Sequence, residues 1–166
     1  MNYRAEVLNE LIPYFKKDDR YLLLACDMGF AAIDKLREAF PDRVINMGIM
    51  EQGTIGIAAG MALSGLRPVV YSICNFLVFR ALEQIRLNLI KQELPVKLIG
   101  TGADDYFEHL GYSHCCGKED VAIFNIIELP VFDPWEGQPC PGLEQTPLSS
   151  IVTAWLTKPG PAYLRV

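Results

Sequence analysis

The chain has 166 residues, with 15 basic and 20 acidic side chains that give a formal net charge of -5. This length suits one folding unit, so we expect residues 1–166 to form a single domain. The negative charge and the lack of a basic cluster argue against a nucleic acid as the partner. No apolar run approaches the roughly 18 residues that span a bilayer, which argues against a membrane protein. Hydrophobic residues still make up 51% of the chain, and this surplus predicts a surface that a protein partner covers.

The N-terminus and the cysteines indicate where the protein resides. Residues 1–6 carry mixed charge and lack the apolar segment of a secretion signal. The five cysteines are an odd number, which does not suit a disulfide framework. We therefore expect a cytoplasmic protein with reduced thiols. The spacing of His109, His114, Cys115 and Cys116 matches no zinc pattern, so no metal site is predicted in this chain.

Apolar strand-like runs alternate with helical patterns along the chain. In chain order, the pattern predicts a helix over 3–16, a strand over 21–26, a helix over 30–40, a strand over 43–47, a helix over 50–64, a strand over 68–73, a helix over 76–92, a strand over 95–100, a helix over 119–127, a strand over 129–133, a helix over 147–157 and a strand over 162–166. A polar loop is predicted over 101–118 and an irregular, proline-rich segment over 134–147. This alternation is typical of the α/β class, and we predict a doubly wound, mainly parallel sheet of six strands with helices on both faces.

The most informative stretch follows the second predicted strand, where Gly-Ile-Met-Glu-Gln at 48–52 leads into a helix rich in glycine and alanine. A glutamate such as Glu51 is common in a first helical turn, because it complements the helix dipole. In a doubly wound sheet, however, ligands bind beyond the carboxyl ends of the strands. The residues expected at that edge are Asp27, 48–51, 74–76, 101–104 and Asp133. Its position therefore makes Glu51 a candidate ligand-binding residue.

Residues 41–52 and 56–62, followed by 68–86, resemble the pyrimidine-binding domain of transketolase-type enzymes that use thiamine diphosphate. Shorter similar stretches, which extend the resemblance over essentially the whole chain, lie at 111–114, 119–122 and 160–165. The resemblance implies the pyrimidine module of the thiamine diphosphate-binding fold. It also implies a part in the transfer of a two-carbon ketol unit between sugars or sugar phosphates.

The resemblance implies roles for individual residues at the cofactor. Glu51 matches the family's activating glutamate, whose carboxyl group forms a hydrogen bond with the cofactor's pyrimidine ring. Phe76 matches the aromatic residue that stacks on that ring. Phe79 either flanks the same ring or belongs to the core. Ile73 stands where many relatives have another aromatic residue, and Asp27 lies at the same sheet edge, so both are expected in the cofactor pocket.

Two further residues are expected to meet the substrate. His114 matches a histidine that faces the sugar in transketolases, and Arg165 matches a phosphate-binding arginine. The chain departs from the family pattern at Leu110, where an aspartate usually precedes the Gly-x-x-His run. It also departs at Gly102, where a second histidine is usual. These departures leave the identity of the sugar open.

The family binds the cofactor's diphosphate and Mg²⁺ with a Gly-Asp-Gly motif and a downstream asparagine, and this pattern does not occur in the sequence. The resemblance therefore implies that the chain holds half of the cofactor site. We expect a separate diphosphate-binding subunit to bind Mg²⁺. The two subunits are expected to form an α2β2 complex that shares thiamine diphosphate, with the helix over 50–64 as the surface where the partner docks.

Several alternatives remain open at this point. A subunit of a deoxyxylulose-phosphate-synthase-like, 2-oxo acid dehydrogenase-like or decarboxylase enzyme would share Glu51 and Phe76. A non-catalytic module that kept the fold is a second alternative, although retention of both residues argues against it. A flavodoxin-like domain is a third, but Asp27-Met28-Gly29 after the first strand is not a phosphate-binding glycine-rich loop.

Overall fold

The computed structural model describes residues 3–134 and 146–166, and its centre is a sheet of six strands. The strands are β1 (Tyr21–Ala25), β2 (Val44–Asn46), β3 (Arg67–Ile73), β4 (Lys97–Thr101), β5 (Val131–Phe132) and β6 (Ala162–Arg165). Their order across the sheet is β2-β1-β3-β4-β6-β5, and all five pairings are parallel. The prediction of a mainly parallel six-stranded sheet is confirmed.

The described residues contain seven α-helices, of which the first two precede β1 and the other five connect successive strands. They are α1 (Tyr3–Asn9), α2 (Ile12–Lys17), α3 (Asp34–Ala39), α4 (Glu51–Leu63), α5 (Cys74–Gln84), α6 (Glu119–Ile126) and α7 (Leu148–Thr157). Helix α5 continues as a π-helical segment over Ile85–Ile90. Short 3₁₀ turns occur at Pro41–Arg43, Glu108–Leu110 and Tyr112–His114.

The helices cover both faces of the sheet, because successive strand residues point to opposite sides. Leu23 packs in a core with residues of α1, α2, α3 and α7, whereas its neighbour Leu24 packs with residues of α4, α5 and α6. The same alternation separates Val69 from Val70. Burial of both faces explains the nearly continuous apolar runs of the central strands.

The N-terminal helix differs from its prediction. One helix was expected over 3–16, but α1 ends at Asn9 and α2 begins at Ile12. Pro13 lies in the first turn of α2, where its missing N–H costs nothing, whereas inside a continuous helix it would remove the bond to the carbonyl of Asn9. The proline therefore divides the predicted helix into two helices without changing which of its apolar residues are buried.

Other element boundaries shift by a few residues. Helix α5 begins at Cys74, two positions before the predicted start, and β5 shortens from 129–133 to Val131–Phe132. Most of the segment predicted as irregular, 134–147, lies outside the described residues. Over 3–134 and 146–166, no helix is both long and apolar enough to cross a bilayer.

Candidate functional site

The turns that follow β1 and β2 meet at the carboxyl edge of the sheet and are joined by Asn46. The Asn46 Oδ1 atom accepts hydrogen bonds from the backbone N–H groups of Asp27 (3.2 Å) and Gly48 (2.9 Å). Its Nδ2 atom donates to Asp27 Oδ1 at 3.0 Å. Asp27 has a φ of 47°, a left-handed conformation that aspartate tolerates better than most residues. One amide side chain therefore sets the entry to α4.

Glu51 is the first residue of α4, and only 3% of its surface is exposed. Its Oε1 atom accepts a hydrogen bond from Ser72 Oγ on β3 at 3.2 Å. Its Oε2 atom accepts one from Arg80 Nη1 on α5, also at 3.2 Å. A buried carboxylate is costly unless it is paired and hydrogen-bonded, and these two contacts provide that compensation.

Arg80 also covers the ring of Phe76, one helical turn earlier on α5. The guanidinium carbon lies 3.5 Å from the ring centroid, which is a close cation–π contact. Sequence reasoning missed Arg80 as a site residue. The i, i+4 spacing to Phe76 was the available signal, because such pairs lie on one helical face.

His114 comes to the same place from the loop between β4 and α6. Its ring meets the ring of Phe76 edge-on, with centroids 5.1 Å apart and an interplanar angle of 66°. Two hydrogen bonds organise the neighbourhood: Ser113 Oγ lies 3.0 Å from His114 Nδ1, and Asn75 Nδ2 donates to the Ser113 carbonyl at 2.6 Å. The N-terminus of α5 therefore positions this loop.

These side chains line one cavity of about 290 Å³ at the sheet's carboxyl edge. Its lining residues are Cys26, Asp27, Met28, Ile49, Glu51, Ile73, Phe76, Arg80 and His114. Five of the residues singled out in the sequence are thus brought together: Asp27, Glu51, Ile73, Phe76 and His114. A buried carboxylate beside an aromatic ring and an imidazole suits a planar heterocycle with a ring nitrogen.

Phe79 lies elsewhere. Its exposed fraction is 57%, so it is not part of the core, which was one of the two expectations for it. It lines an adjoining surface groove of about 710 Å³ with residues that include Gln52, Arg86 and Ile126. Arg80 lines both this groove and the cavity. Residues three positions apart lie on neighbouring parts of one helical face, so the spacing from Phe76 does not by itself decide which way the Phe79 side chain points.

Arg165 also lies away from the cavity, and its surroundings disagree with the predicted phosphate-binding role. The residue is 1% exposed. Its Nε donates to Asp120 Oδ2 at 2.9 Å, and its Nη1 donates to Asp104 at 2.9 Å and to Asp133 at 3.2 Å. Its Nη2 donates to Asp104 at 2.7 Å and to the Gly117 carbonyl at 2.6 Å. All five guanidinium N–H groups are used, so none remains for a phosphate.

The Arg165 cluster holds the loop that carries His114. Asp104 and Gly117 lie near the two ends of that loop, and both bind the one guanidinium. Tyr163 on β6 donates to Asp120 Oδ2 at 2.7 Å. Its ring lies against Gly100, where any Cβ atom would overlap it. Arg165 is therefore assigned a structural role in positioning the site.

Comparisons with known proteins show which families and structures the chain is similar to. A family model described as "Transketolase, pyrimidine binding domain" matches residues 1–138. The chain is 30% identical over 165 residues to the 6-deoxy-6-sulfo-D-fructose transketolase subunit SqwH of a Clostridium species (strain MSTE9), covering 98% of this chain and 48% of that protein. It is 29% identical over 144 residues to a subunit of the apulose-4-phosphate transketolase of Actinobacillus succinogenes, covering 87% of this chain and 44% of that protein.

A solved structure described as a split gene transketolase, inactive beta4 tetramer, is similar with a TM-score of 0.78 and 28% identity. The similarity covers 98% of this chain and 49% of that one. The chain thus spans about half the length, or less, of the proteins it matches.

The Arg165 cluster predicts how stability responds to acid. The hydrogen bonds from Arg165 hold the pKa of Asp104 below its usual range. A carboxyl group with a lowered folded-state pKa stabilises the fold above its unfolded pKa of about 3.9, and this contribution is lost as pH falls through the folded value. We expect Asp104→Asn to be less stable than the native chain at pH 7 and to lose less stability on acidification.

Urea unfolding midpoints between pH 7 and pH 3 measure this effect. The matched control is Asp42→Asn, which changes an exposed aspartate outside the cluster and should follow the native chain. Parallel pH profiles for the native chain and Asp104→Asn would contradict the assignment.

Proposed function

This chain belongs to the transketolase pyrimidine-binding domain family, and on that premise we propose that it is the pyrimidine-binding subunit of a split, transketolase-like enzyme. In this proposal residues 1–166 form one domain that transfers nothing alone and acts only with a diphosphate-binding partner. The reaction is the transfer of a two-carbon ketol unit between sugars or sugar phosphates. The observation that carries the proposal is the meeting of Glu51, Phe76 and His114 in one cavity.

The cavity fits the aminopyrimidine ring of the thiamine diphosphate that the family uses. Phe76 offers a ring for stacking, and Ile73 and Ile49 add apolar walls. Glu51 offers the single buried carboxylate among the lining residues. When bound, thiamine diphosphate would supply the nucleophilic carbon and the electron sink for breaking a carbon–carbon bond.

We assign proton handling to Glu51 Oε2. The Oε1 atom is held by Ser72, which is completely buried, whereas Oε2 faces Arg80, whose side chain is 42% exposed. Arg80 can therefore turn toward solvent at lower cost than Ser72 can move. With Arg80 turned away, the buried Oε2 atom would need another hydrogen-bond donor, and a protonated ring nitrogen of the bound cofactor would supply one.

The remaining cavity residues are assigned to positioning. His114 shares Nδ1 with Ser113, which leaves Nε2 for a hydroxyl group of the ketose. Asp27 lies at the cavity rim, where Asn46 fixes its carboxylate. Because the five donors of Arg165 have partners within this chain, we propose that other residues recognise a charged group at the far end of the sugar.

Helix α4 is the proposed docking surface for the partner. Gly56 and Gly60 are exposed on it, and a Cβ atom at either position would meet nothing within 4 Å in this chain. Glycine inside a helix costs about 0.5–1 kcal/mol relative to alanine, so internal packing gives no reason for these residues. Close approach of a second chain would explain the two glycines. The exposed side chains of Ile57 and Leu63 add apolar area to the same surface.

The partner is proposed to bind Mg²⁺ and the diphosphate, and the pair to assemble as α2β2. The names of two relatives, each called a transketolase subunit, support an assembly of separate chains. Those names specify a sulfonated ketose and a ketose phosphate as substrates of the relatives. We propose a substrate of the same broad class, a ketose with an anionic group.

The first test replaces the carboxyl group without changing its shape. Glu51→Gln should lower kcat of the assembled complex with a ketose phosphate donor by roughly 10²-fold or more, because proton transfer by a positioned group contributes that much. The control is Glu119→Gln, which changes an exposed glutamate in the first turn of α6. Near-native turnover by Glu51→Gln would remove Glu51 from the mechanism. If the native complex turned over pyruvate but not ketoses, a related reaction would be favoured.

A second test separates the two phenylalanines of α5. Phe76→Leu should weaken thiamine diphosphate binding to the assembled complex about 2–10-fold, the equivalent of one aromatic contact of about 0.5–1.5 kcal/mol. Phe79→Leu should leave the Kd unchanged, because Phe79 lies outside the cavity. Calorimetric titration of both variants measures the difference. Equal losses, or a loss confined to Phe79→Leu, would contradict the assigned pocket.

A third test addresses docking on α4. Gly56→Phe should leave the fold of this chain intact, since the position opens to empty space, but should abolish assembly with the partner. The control is Gly65→Asn, which follows α4 and lies at a left-handed position with φ of 89° that asparagine tolerates. Sedimentation of mixtures of the two subunits measures assembly. Normal assembly by Gly56→Phe would show that the partner docks elsewhere.

A further inference from the structure

Two cysteines that the proposed function does not use lie in contact inside the fold. Cys74 is the first residue of α5 and is completely buried, and Cys116 lies in the loop before α6 with 2% of its surface exposed. Their Sγ atoms are 2.6 Å apart although the residues are 42 positions apart in the chain. Both are free thiols in this structure. A disulfide bond is about 2.05 Å long, so its formation requires only a small further approach of the two sulfur atoms.

The surroundings of the pair contain a potential proton acceptor. A carboxylate oxygen of Asp120 lies within 4.8 Å of both sulfur atoms. Asp120 is fully buried, and its Oδ1 atom has no hydrogen-bond partner among the described residues. The hydrogen bond with Cys116 and the burial of the sulfur together raise the pKa of Cys74 above its usual range. This raised pKa favours the neutral thiol form of Cys74 in the reduced chain.

We propose that Cys74 and Cys116 form a reversible disulfide when the chain meets a peroxide. This disulfide would form whether or not the chain has the proposed enzymatic function. The thiol of Cys116, on the loop, attacks one peroxide oxygen, so that an S–O bond forms, the O–O bond breaks and water leaves. The sulfur of Cys74 then attacks the resulting sulfenic acid. The S–S bond forms, the S–O bond breaks, and the Cys74 proton leaves with the hydroxide as a second water.

Oxidation and reduction balance over these two reaction steps. The two sulfur atoms together lose two electrons, and the peroxide gains two electrons to become two molecules of water. Asp120 is the carboxylate nearest to hand for passing the Cys74 proton to the leaving hydroxide, because one of its oxygens lies within 4.8 Å of both sulfur atoms. A dithiol reductant reverses the reaction by exchange.

The position of the pair gives the disulfide a structural effect on the cavity. Cys74 lies two residues before Phe76, and Cys116 lies two residues after His114. One hydrogen bond, from Asn75 Nδ2 to the Ser113 carbonyl, already ties the same two segments. A disulfide would add a covalent link to this reversible one and would hold the His114 loop against α5.

Peptide mapping of the purified chain tests the proposal directly. After treatment with hydrogen peroxide, non-reducing mass spectrometry should find the peptides of Cys74 and Cys116 joined and lighter by two hydrogen atoms, and dithiothreitol should separate them. The Tm of the oxidised chain should rise by about 5–15 °C, because a cross-link between distant positions restricts the unfolded chain. The Cys116→Ser variant should show neither effect.

Cys115→Ser is the matched control. Cys115 is adjacent to Cys116, but its Sγ atom faces the Gly111 carbonyl and not Cys74, so this variant should still form the cross-link. A Cys74–Cys115 cross-link would overturn the assignment. Oxidation of single cysteines without a cross-link in the native chain would also overturn it. The assignment would also be overturned if native mass spectrometry detected one zinc ion per chain that protects Cys74 and Cys116 as thiolates. None of these native-chain outcomes depends on whether Cys116→Ser folds.

Discussion

The buried guanidinium of Arg165 is the interaction on which the geometry of the site depends. It binds carboxylates from three separate segments: Asp104 after β4, Asp120 in the first turn of α6 and Asp133 after β5. Three carboxylates around one cation leave an excess of negative charge, and Lys118 Nζ reduces it from 3.5 Å away from Asp104. Breaking one buried pair of this kind costs roughly 3–5 kcal/mol, because a charge is left uncompensated. The loop that carries His114 is therefore held by the end of the last strand.

Much of the fold and half of the site can be predicted from local patterns in the sequence. The alternation of apolar runs and helical periods predicts six strands and places Asp27, Glu51 and Phe76 at one sheet edge, because parallel strands end together. Glu51 needs no distant information, since it follows a short strand and begins a helix. Pro13 also carries a readable signal: proline prefers a first helical turn, so the break before it was predictable from local chemistry.

The remaining features depend on which segments meet in space. Nothing near Arg165 in the sequence shows that three aspartates from 32 to 61 positions away will occupy its donors. The same holds for Cys74 and Cys116, which are brought together only when the loop after β4 folds back onto α5. Phe79 illustrates a different limit. Periodicity places it near Phe76, but the choice between facing the cavity and facing outward depends on the neighbours of α5.

The contact between Arg80 and Phe76 changes how the affinity of the cavity must be understood. The guanidinium already stacks on the ring and already neutralises Glu51, so both surfaces are satisfied before any ligand arrives. A planar ligand that stacks on Phe76 from the side of Arg80 competes with an internal occupant. Its binding free energy is then the difference between two stacked arrangements, not the full value of the new one. The selectivity of the cavity among flat ligands would therefore depend on how well each ligand displaces the Arg80 guanidinium from the Phe76 ring, and not on how much apolar area each ligand buries.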